Sequence, residues 1–198
     1  MKNAQRLAIA TCFATLVLIA VGVLVRATGS GLGCPDWPTC YGGVVPPGQQ
    51  TAIIEYSHRL VASLVGLMVI GVAVMAWVHY RHVRFVTLVA TFTVPLVGAQ
   101  GILGAIAVVR ELPPEIVATH LLTAMLVLTC EVAVAIAMYR EDTERHTTPV
   151  RLSPAARRIG VVALAAIAWL AITLWVGSYV AESGASTACE GWPLCNGS

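Results

Sequence analysis

Five uninterrupted apolar segments constrain this chain of 198 residues more than any other feature of its sequence. Each contains roughly 20 residues, the length that a helix needs to cross the hydrocarbon core of a bilayer. Only 11% of the residues are charged, against about 25% in an ordinary soluble domain. The sequence therefore predicts an all-α, polytopic transmembrane helix bundle. The predicted spans cover residues 7–25, 56–78, 85–109, 116–139 and 159–180.

The basic residues predict the orientation of these helices. Lys2 and Arg6 precede the first span, Arg81 and Arg84 separate the second from the third, and five arginines lie between the fourth and the fifth. The positive-inside rule therefore places the N-terminus in the cytoplasm and the cysteine-bearing loops on the outer face of a plasma membrane. The formal net charge of +2 follows from this topology, and we expect no nucleic-acid partner.

A cysteine-containing motif occurs twice in the chain. Segments 29–42 and 184–197 share six residues at a constant offset of 155, namely Gly, Cys, Trp, Pro, Cys and Gly. Each copy follows a predicted span that runs from the inside to the outside. An internal repeat is the expected explanation. At the same offset the counterpart of His58 would fall beyond Ser198, so we expect a truncated chain, with a naturally short variant as the alternative.

The repeat divides the chain into three predicted parts. Residues 1–140 form the first four-helix transmembrane repeat, with a cysteine-bearing outer loop over residues 26–54. Residues 141–158 form a cytoplasmic linker. Residues 159–198 form the first helix and the outer cysteine loop of an incomplete second repeat.

Two histidines are the candidate metal ligands. His58 lies at the outer start of the second span and His120 at the outer start of the fourth, so both are expected at the same shallow depth. Two imidazoles at equal depth on neighbouring helices can supply both axial nitrogens to the iron of a haem. The alternative is that each histidine only forms a hydrogen bond to a neighbouring helix.

Glu55 is the candidate catalytic residue. It lies three residues before His58, so the two side chains share one face of the helix. A carboxyl group beside a cofactor can transfer protons. Two structural roles stay open beside the catalytic one: an ion pair with Arg59 four residues later, or a favourable negative charge at a helix N-terminus.

Other polar residues near the outer face are candidates for cofactor binding. The default for Arg26, Arg59 and Arg110 is that they extend to lipid headgroups. If His58 and His120 hold a haem, these arginines can pair with its propionates. Gln100, among the glycines of the third span, is expected to find a hydrogen-bond partner inside the bundle.

Four of the six cysteines lie in the predicted outer loops, where disulfides are permitted. The ring between Cys34 and Cys40 can hold a disulfide if the two side chains face each other. Such a bond is either a structural link or a redox-active pair. Cys12 and Cys130 lie inside spans and are expected to be buried as small apolar side chains.

Four motifs together resemble the heme A synthase family. They are Gly-Cys-Pro-Asp-Trp-Pro-x-Cys ending at Cys40, Glu55-Tyr-Ser-His58-Arg59, Gln100-Gly-x-Leu-Gly104, and Leu112-Pro-Pro-x-x-Val-x-x-His120. The resemblance covers the whole chain, which corresponds to about the first five of eight helices in a typical family member. It implies oxidation of a methyl group of haem O, through an alcohol, to the formyl group of haem A for cytochrome oxidase.

The resemblance also implies roles for individual residues. His58 and His120 correspond to the histidine pair of the N-terminal half, which is thought to bind the substrate haem, and Glu55 to a catalytic carboxylate. Cys34 and Cys40 correspond to a disulfide, and we expect the repeated pair Cys189 and Cys195 to match it. A haem b cofactor belongs to the C-terminal half. Expected partners are haem O synthase, other oxidase assembly proteins or a second copy of the chain.

Three alternative functions stay open. A transmembrane b-type cytochrome would carry electrons without changing its haem, but such carriers usually need paired histidines near both faces. A quinone-coupled disulfide-forming protein would use the outer cysteines, although these enzymes typically contain Cys-x-x-Cys. A haem chaperone would bind the same group without turnover.

Overall fold

The computed structural model describes residues 3–144, 154–185 and 188, and contains five long helices. They are α1 (Asn3–Ala27), α2 (Gln50–His79), α3 (Arg84–Val109), α4 (Pro114–Glu144) and α5 (Pro154–Glu182). A short 3₁₀ turn, Ser30–Leu32, follows α1. All five helices are long and apolar enough to cross a membrane, and the residues described include no β-strand. The predicted polytopic helix bundle is therefore confirmed.

The helices extend past the predicted spans because helical hydrogen bonding continues into the polar residues that flank an apolar segment. The second span was predicted to begin at residue 56, whereas α2 begins at Gln50. The fourth was predicted to end at residue 139, whereas α4 continues to Glu144. Half of the predicted linker over 141–158, namely residues 145–153, lies outside the described residues, and the three-part division stays a prediction.

The first four helices form a closed ring. α1 packs against α2, α2 against α3, α3 against α4, and α4 returns to α1. Helices α2 and α4 are therefore diagonally opposite across the ring. α5 packs on α4 outside it, and an ion pair between Arg26 of α1 and Glu182 of α5 joins their ends.

We call the end of the bundle that carries residues 28–49 the loop end, and the opposite end, with the α2–α3 connection, the far end. Small side chains line the ring near the far end, among them Ala4, Ala8 and Ala76, which are at most 2% exposed. Such residues let membrane helices approach closely, where dispersion contacts hold them together. Many larger apolar side chains, including Phe13 and Leu67, face outward, as a lipid environment requires.

Candidate functional site

A disulfide between Cys34 and Cys40 closes part of the segment over residues 28–49, which we call the Cys loop. Both cysteines are almost completely buried, at 0% and 1% exposure, and pack with Ala52 of α2. Burial against the first turn of a helix favours a structural link over an exposed redox pair. The predicted pair Cys189 and Cys195 lies outside the described residues. Cys12 and Cys130 are free thiols and only half-buried.

Glu55 joins the Cys loop to α2. Its Oε2 atom accepts a hydrogen bond from the backbone N–H of Cys34 at 2.8 Å, and its Oε1 atom pairs with the guanidinium of Arg59 one turn later. The residue is only 4% exposed. A buried carboxylate needs a charge partner and hydrogen bonds, and Glu55 has both. The expected ion pair with Arg59 is therefore present, and the catalytic role stays a prediction.

The side chain of Arg59 binds backbone carbonyl groups of the Cys loop. Nη1 donates to the carbonyl oxygens of Asp36 at 2.6 Å and Thr39 at 2.7 Å, and Nη2 donates to that of Cys34 at 3.2 Å. A planar guanidinium can serve several acceptors at once, which a lysine ammonium cannot match in geometry. The guanidinium that was a candidate for haem propionates is thus occupied by the loop.

Asp36 organises the outer turn of the Cys loop. Its carboxylate accepts hydrogen bonds from the Thr39 hydroxyl at 2.5 Å and from the backbone N–H groups of Tyr41 at 2.5 Å and Gly42 at 2.8 Å. Tyr41 and Gly42 both adopt positive φ, at 54° and 73°, so the carboxylate stabilises a left-handed turn. The Thr39 hydroxyl, followed by the Gly42 and Tyr41 amides, lowers the pKa of Asp36 below its ordinary value.

The two candidate ligands, His58 and His120, lie on the diagonal helices α2 and α4. We call them the histidine pair. Each Nδ1 atom is buried without a hydrogen-bond partner, and neither imidazole forms a hydrogen bond to any described residue. The alternative, in which each histidine is bonded to a neighbouring helix, therefore finds no support in this geometry.

Each imidazole lies against a glycine of the preceding helix. A Cβ atom added to Gly22 of α1 would stand 3.2 Å from Cε1 of His58, and one added to Gly104 of α3 would stand 3.6 Å from Cε1 of His120. The absence of side chains at these two positions makes room for the rings. All four helices of the ring thus contribute to one site near the loop end.

Gln100 positions the second histidine. Its Nε2 atom donates to the backbone carbonyl of His120 at 3.0 Å, while its Oε1 atom is buried without a partner. The expectation of a hydrogen bond inside the bundle is confirmed. The unpaired Oε1 adds a third buried polar atom without a partner to the two Nδ1 atoms of the histidine pair.

The other two candidate arginines differ in their surroundings. Arg26 pairs with Glu182 of α5, as described above. Arg110 ends α3, is exposed, and forms no side-chain hydrogen bond or ion pair in the part of the chain that the structure describes. Of the three arginines, Arg110 is therefore the one whose guanidinium is free for a ligand.

The side chains of the site are compatible with a haem. The described residues include no group of three or more His, Cys, Asp or Glu side chains that could hold a metal ion. A haem brings four nitrogen ligands of its own and needs only two axial ones from the protein. Two half-buried imidazoles, each with a buried Nδ1 atom that has no partner and each set against a glycine, match this requirement.

Our sequence analysis missed one buried ionisable residue. Glu131 lies in the middle of α4 and is only 6% exposed, inside the ring. A single glutamate in an otherwise apolar span was the available signal, since such residues usually face the interior of a bundle. Its distance of eleven residues from His120 along α4 also places both on one helix face.

Comparison with known proteins shows similarity to one family and to several of its named members. Residues 5–198 match the COX15-CtaA family, described as "Cytochrome oxidase assembly protein". The heme A synthase of Alkalihalophilus pseudofirmus is 37% identical over 199 residues, which cover 99% of this chain and 65% of that protein. The heme A synthase of Shouchella clausii is 36% identical over 200 residues, with 99% and 65% coverage. That of Symbiobacterium thermophilum is 33% identical, with 100% and 65% coverage. The chain thus spans about 65% of the length of these relatives.

Proposed function

This chain belongs to the COX15-CtaA family of cytochrome oxidase assembly proteins, and we propose that it binds a haem between His58 and His120 as part of haem A biosynthesis. The observation that carries the proposal is the histidine pair itself. Two imidazoles on diagonal helices have buried Nδ1 atoms without partners, and leaving such polar groups unpaired costs free energy unless a ligand completes the site.

The reaction proposed for the bound haem O is conversion of a ring methyl group to a formyl group. With one water as the oxygen source, the methyl carbon passes through an alcohol and gives up four electrons and four protons. An acceptor must take up these four electrons, and we propose a one-electron carrier such as a haem b, which would pass them on one at a time. The names of the relatives, heme A synthase, support this reaction class.

The residues around the pair have distinct proposed tasks. Glu55 lies one turn before His58, and we propose that its carboxyl group takes up a proton released from the substrate. Because it is already bonded to Cys34 and Arg59, such a step requires one of these contacts to open. Gln100 holds the backbone at His120 and leaves its Oε1 atom for the substrate.

A propionate of the haem would pair with Arg110, whose guanidinium is exposed and without a partner among the described residues. Arg26 would join it only by giving up Glu182. Arg59 instead keeps the Cys loop closed over the start of α2. The three arginines would therefore divide into one ligand for the haem, one that joins helices and one that holds the loop.

The proposed location is the plasma membrane, with the loop end on the outer side. Arg81 and Arg84 lie at the far end with the start of α1, and the positive-inside rule places that end in the cytoplasm. The histidine pair would then lie just beneath the outer face. Haem O synthase and oxidase assembly proteins are proposed partners, because they would deliver the substrate and receive the product.

The test is the visible spectrum of the purified chain loaded with haem. His58→Ala and His120→Ala should each abolish the low-spin spectrum, because one axial nitrogen is lost. His79→Ala, at the exposed far end of α2, is the matched control and should retain it. An unchanged spectrum in His120→Ala would reject the ligand assignment.

Extraction of the bound pigment separates the proposed function from its alternative. Haem O, its alcohol or haem A would support a role in haem A biosynthesis. Protohaem as the only pigment, in cells that produce haem O, would indicate an electron-carrying cytochrome and contradict the proposal.

A further inference from the structure

Glu131 lies on the inner face of α4, far from the histidine pair. It is eleven residues from His120 on one side and eleven from Asp142 on the other. Eleven residues correspond to about three helical turns and a rise of about 16 Å. Glu131 is therefore at the middle of the span, where no function assigned above uses a carboxyl group.

Among the described residues, no basic side chain pairs with Glu131. Its Oε1 atom accepts a hydrogen bond from the Thr15 hydroxyl of α1 at 3.0 Å, and its Oε2 atom is buried without a partner. Within the described chain, Glu131 takes part in no salt bridge. The titratable groups near it are the thiols of Cys12 on α1 and Cys130 on α4 itself.

A small cavity adjoins this carboxyl group. It has a volume of about 10 Å³ and walls made mainly of apolar atoms, and the polar residues that border it are Glu131, Thr11 of α1 and Thr93 of α3. Helix α2 contributes only Val69 and Val72. The volume is about the minimum that one water molecule needs, and a buried water also needs two to four polar partners.

The two threonines can serve as such partners. The hydroxyl of Thr11 donates to the carbonyl of Leu7 at 2.8 Å, and that of Thr93 donates to the carbonyl of Val89 at 2.8 Å. Each oxygen keeps a lone pair that can accept a hydrogen bond. A water in the cavity could then donate to both threonines and accept a hydrogen bond from Glu131.

We propose that Glu131 is a proton-binding site in which a neutral carboxyl group donates from Oε2 to one water molecule in this cavity. An ionised carboxylate excluded from water and without a cation is far more costly than a neutral acid with hydrogen bonds. Ionisable residues within membrane spans usually mark functional sites, and proton transfer is a common one. This inference does not depend on haem binding and is tested without it.

Infrared spectroscopy of the purified chain in lipid vesicles provides the test. A protonated carboxylic acid has a carbonyl stretch that an ionised one lacks. At neutral pH we expect such a band, a shift of it in D₂O, and its loss in Glu131→Gln, where the amide still accepts from Thr15. Glu115→Gln, at the exposed start of the same helix, is the control and should retain the band.

Thr15→Val provides a second readout if Glu131→Gln fails to fold. Loss of the hydrogen bond to Oε1 should move the band to higher frequency without removing it. Two results would overturn the proposal. One is the absence of any band that depends on Glu131. The other is a band that disappears when sodium chloride is added at constant pH, since the cavity would then hold a cation against an ionised carboxylate.

Discussion

The carboxylate of Glu55 accepts a hydrogen bond from the backbone N–H of Cys34 at 2.8 Å, across 21 positions of the chain. This contact joins the disulfide of the Cys loop to the helix turn that carries His58. Together with Arg59, it makes the loop and the start of α2 one structural unit. The position of His58 therefore depends on the loop as well as on the helix.

Replacement of Glu55 by Ala should destabilise this unit. Arg59 would then lose its carboxylate partner, and breaking a buried ion pair from one side costs about 3–5 kcal/mol. The amide of Cys34 would lose its acceptor and exchange its hydrogen faster. Denaturant titration and hydrogen exchange of the Cys34 amide are the measurements. Glu115→Ala, at an exposed position, should cost less than about 1 kcal/mol.

Replacement of Arg59 by Lys should open the Cys loop even though the charge is kept. One ammonium cannot reach the carbonyls of Cys34, Asp36 and Thr39 together with Glu55, so at least one charged hydrogen bond is lost, at about 1.5–3 kcal/mol. The buried Cys34–Cys40 disulfide should become more accessible to a thiol reductant, and its rate of reduction is the measurement. Arg110→Lys should leave that rate unchanged. Equal rates in both variants would contradict the role given to Arg59.

Replacement of Gly22 by Ala should disturb the histidine pair. The new methyl group would stand 3.2 Å from Cε1 of His58, closer than an unstrained contact, so the ring must shift. Haem affinity should fall, measured by titration of the visible band. Gly104→Ala, with 3.6 Å to Cε1 of His120, should have a smaller effect.

The matched control for both glycine variants is Gly101→Ala on α3, where an added Cβ atom meets nothing within 4 Å. Its haem affinity should equal that of the unaltered chain. If Gly22→Ala behaved like Gly101→Ala, the ring of His58 would not lie against α1 in the loaded protein.

The outer turn of the Cys loop should lose stability in acid. The pKa of the Asp36 carboxyl group is lower in the folded chain than in the unfolded one. The stability that this carboxylate gives to the turn is therefore fully present above the unfolded pKa of about 3.9. It is lost as the pH falls through the lower folded pKa. After correction for intrinsic exchange rates, the amides of Tyr41 and Gly42 should lose protection over that range. In Asp36→Asn, protection should be low at every pH.

The amide of Cys40 provides an internal reference for this titration. It donates to the carbonyl of Gly43 at 3.0 Å, so no carboxylate is involved. Its protection against exchange should change less than that of Tyr41 as the pH falls from about 4 through the folded pKa of Asp36. Equal loss at all three amides would mean that the whole loop unfolds and that Asp36 is not the controlling group.

The five helices and the family were predictable from the sequence. A membrane span requires a continuous run of apolar residues, with all backbone hydrogen bonds made inside the segment. It can therefore be recognised from residues that are adjacent in the sequence. His58 and His120 were recognisable because each is an ionisable residue near one end of such a run. The pairing of Glu55 with Arg59 was predictable from their spacing of one helical turn.

The tertiary structure alone decided what lies across the ring. It placed α2 and α4 on the diagonal, made Arg59 a ligand of the Cys loop, and buried Glu131 beside Thr15, which is 116 positions away. Helical periodicity specifies which residues share a face of one helix, but not which helix that face meets. That choice depends on the packing of all four helices at once, because small side chains and buried polar groups must find partners that are distant in the chain.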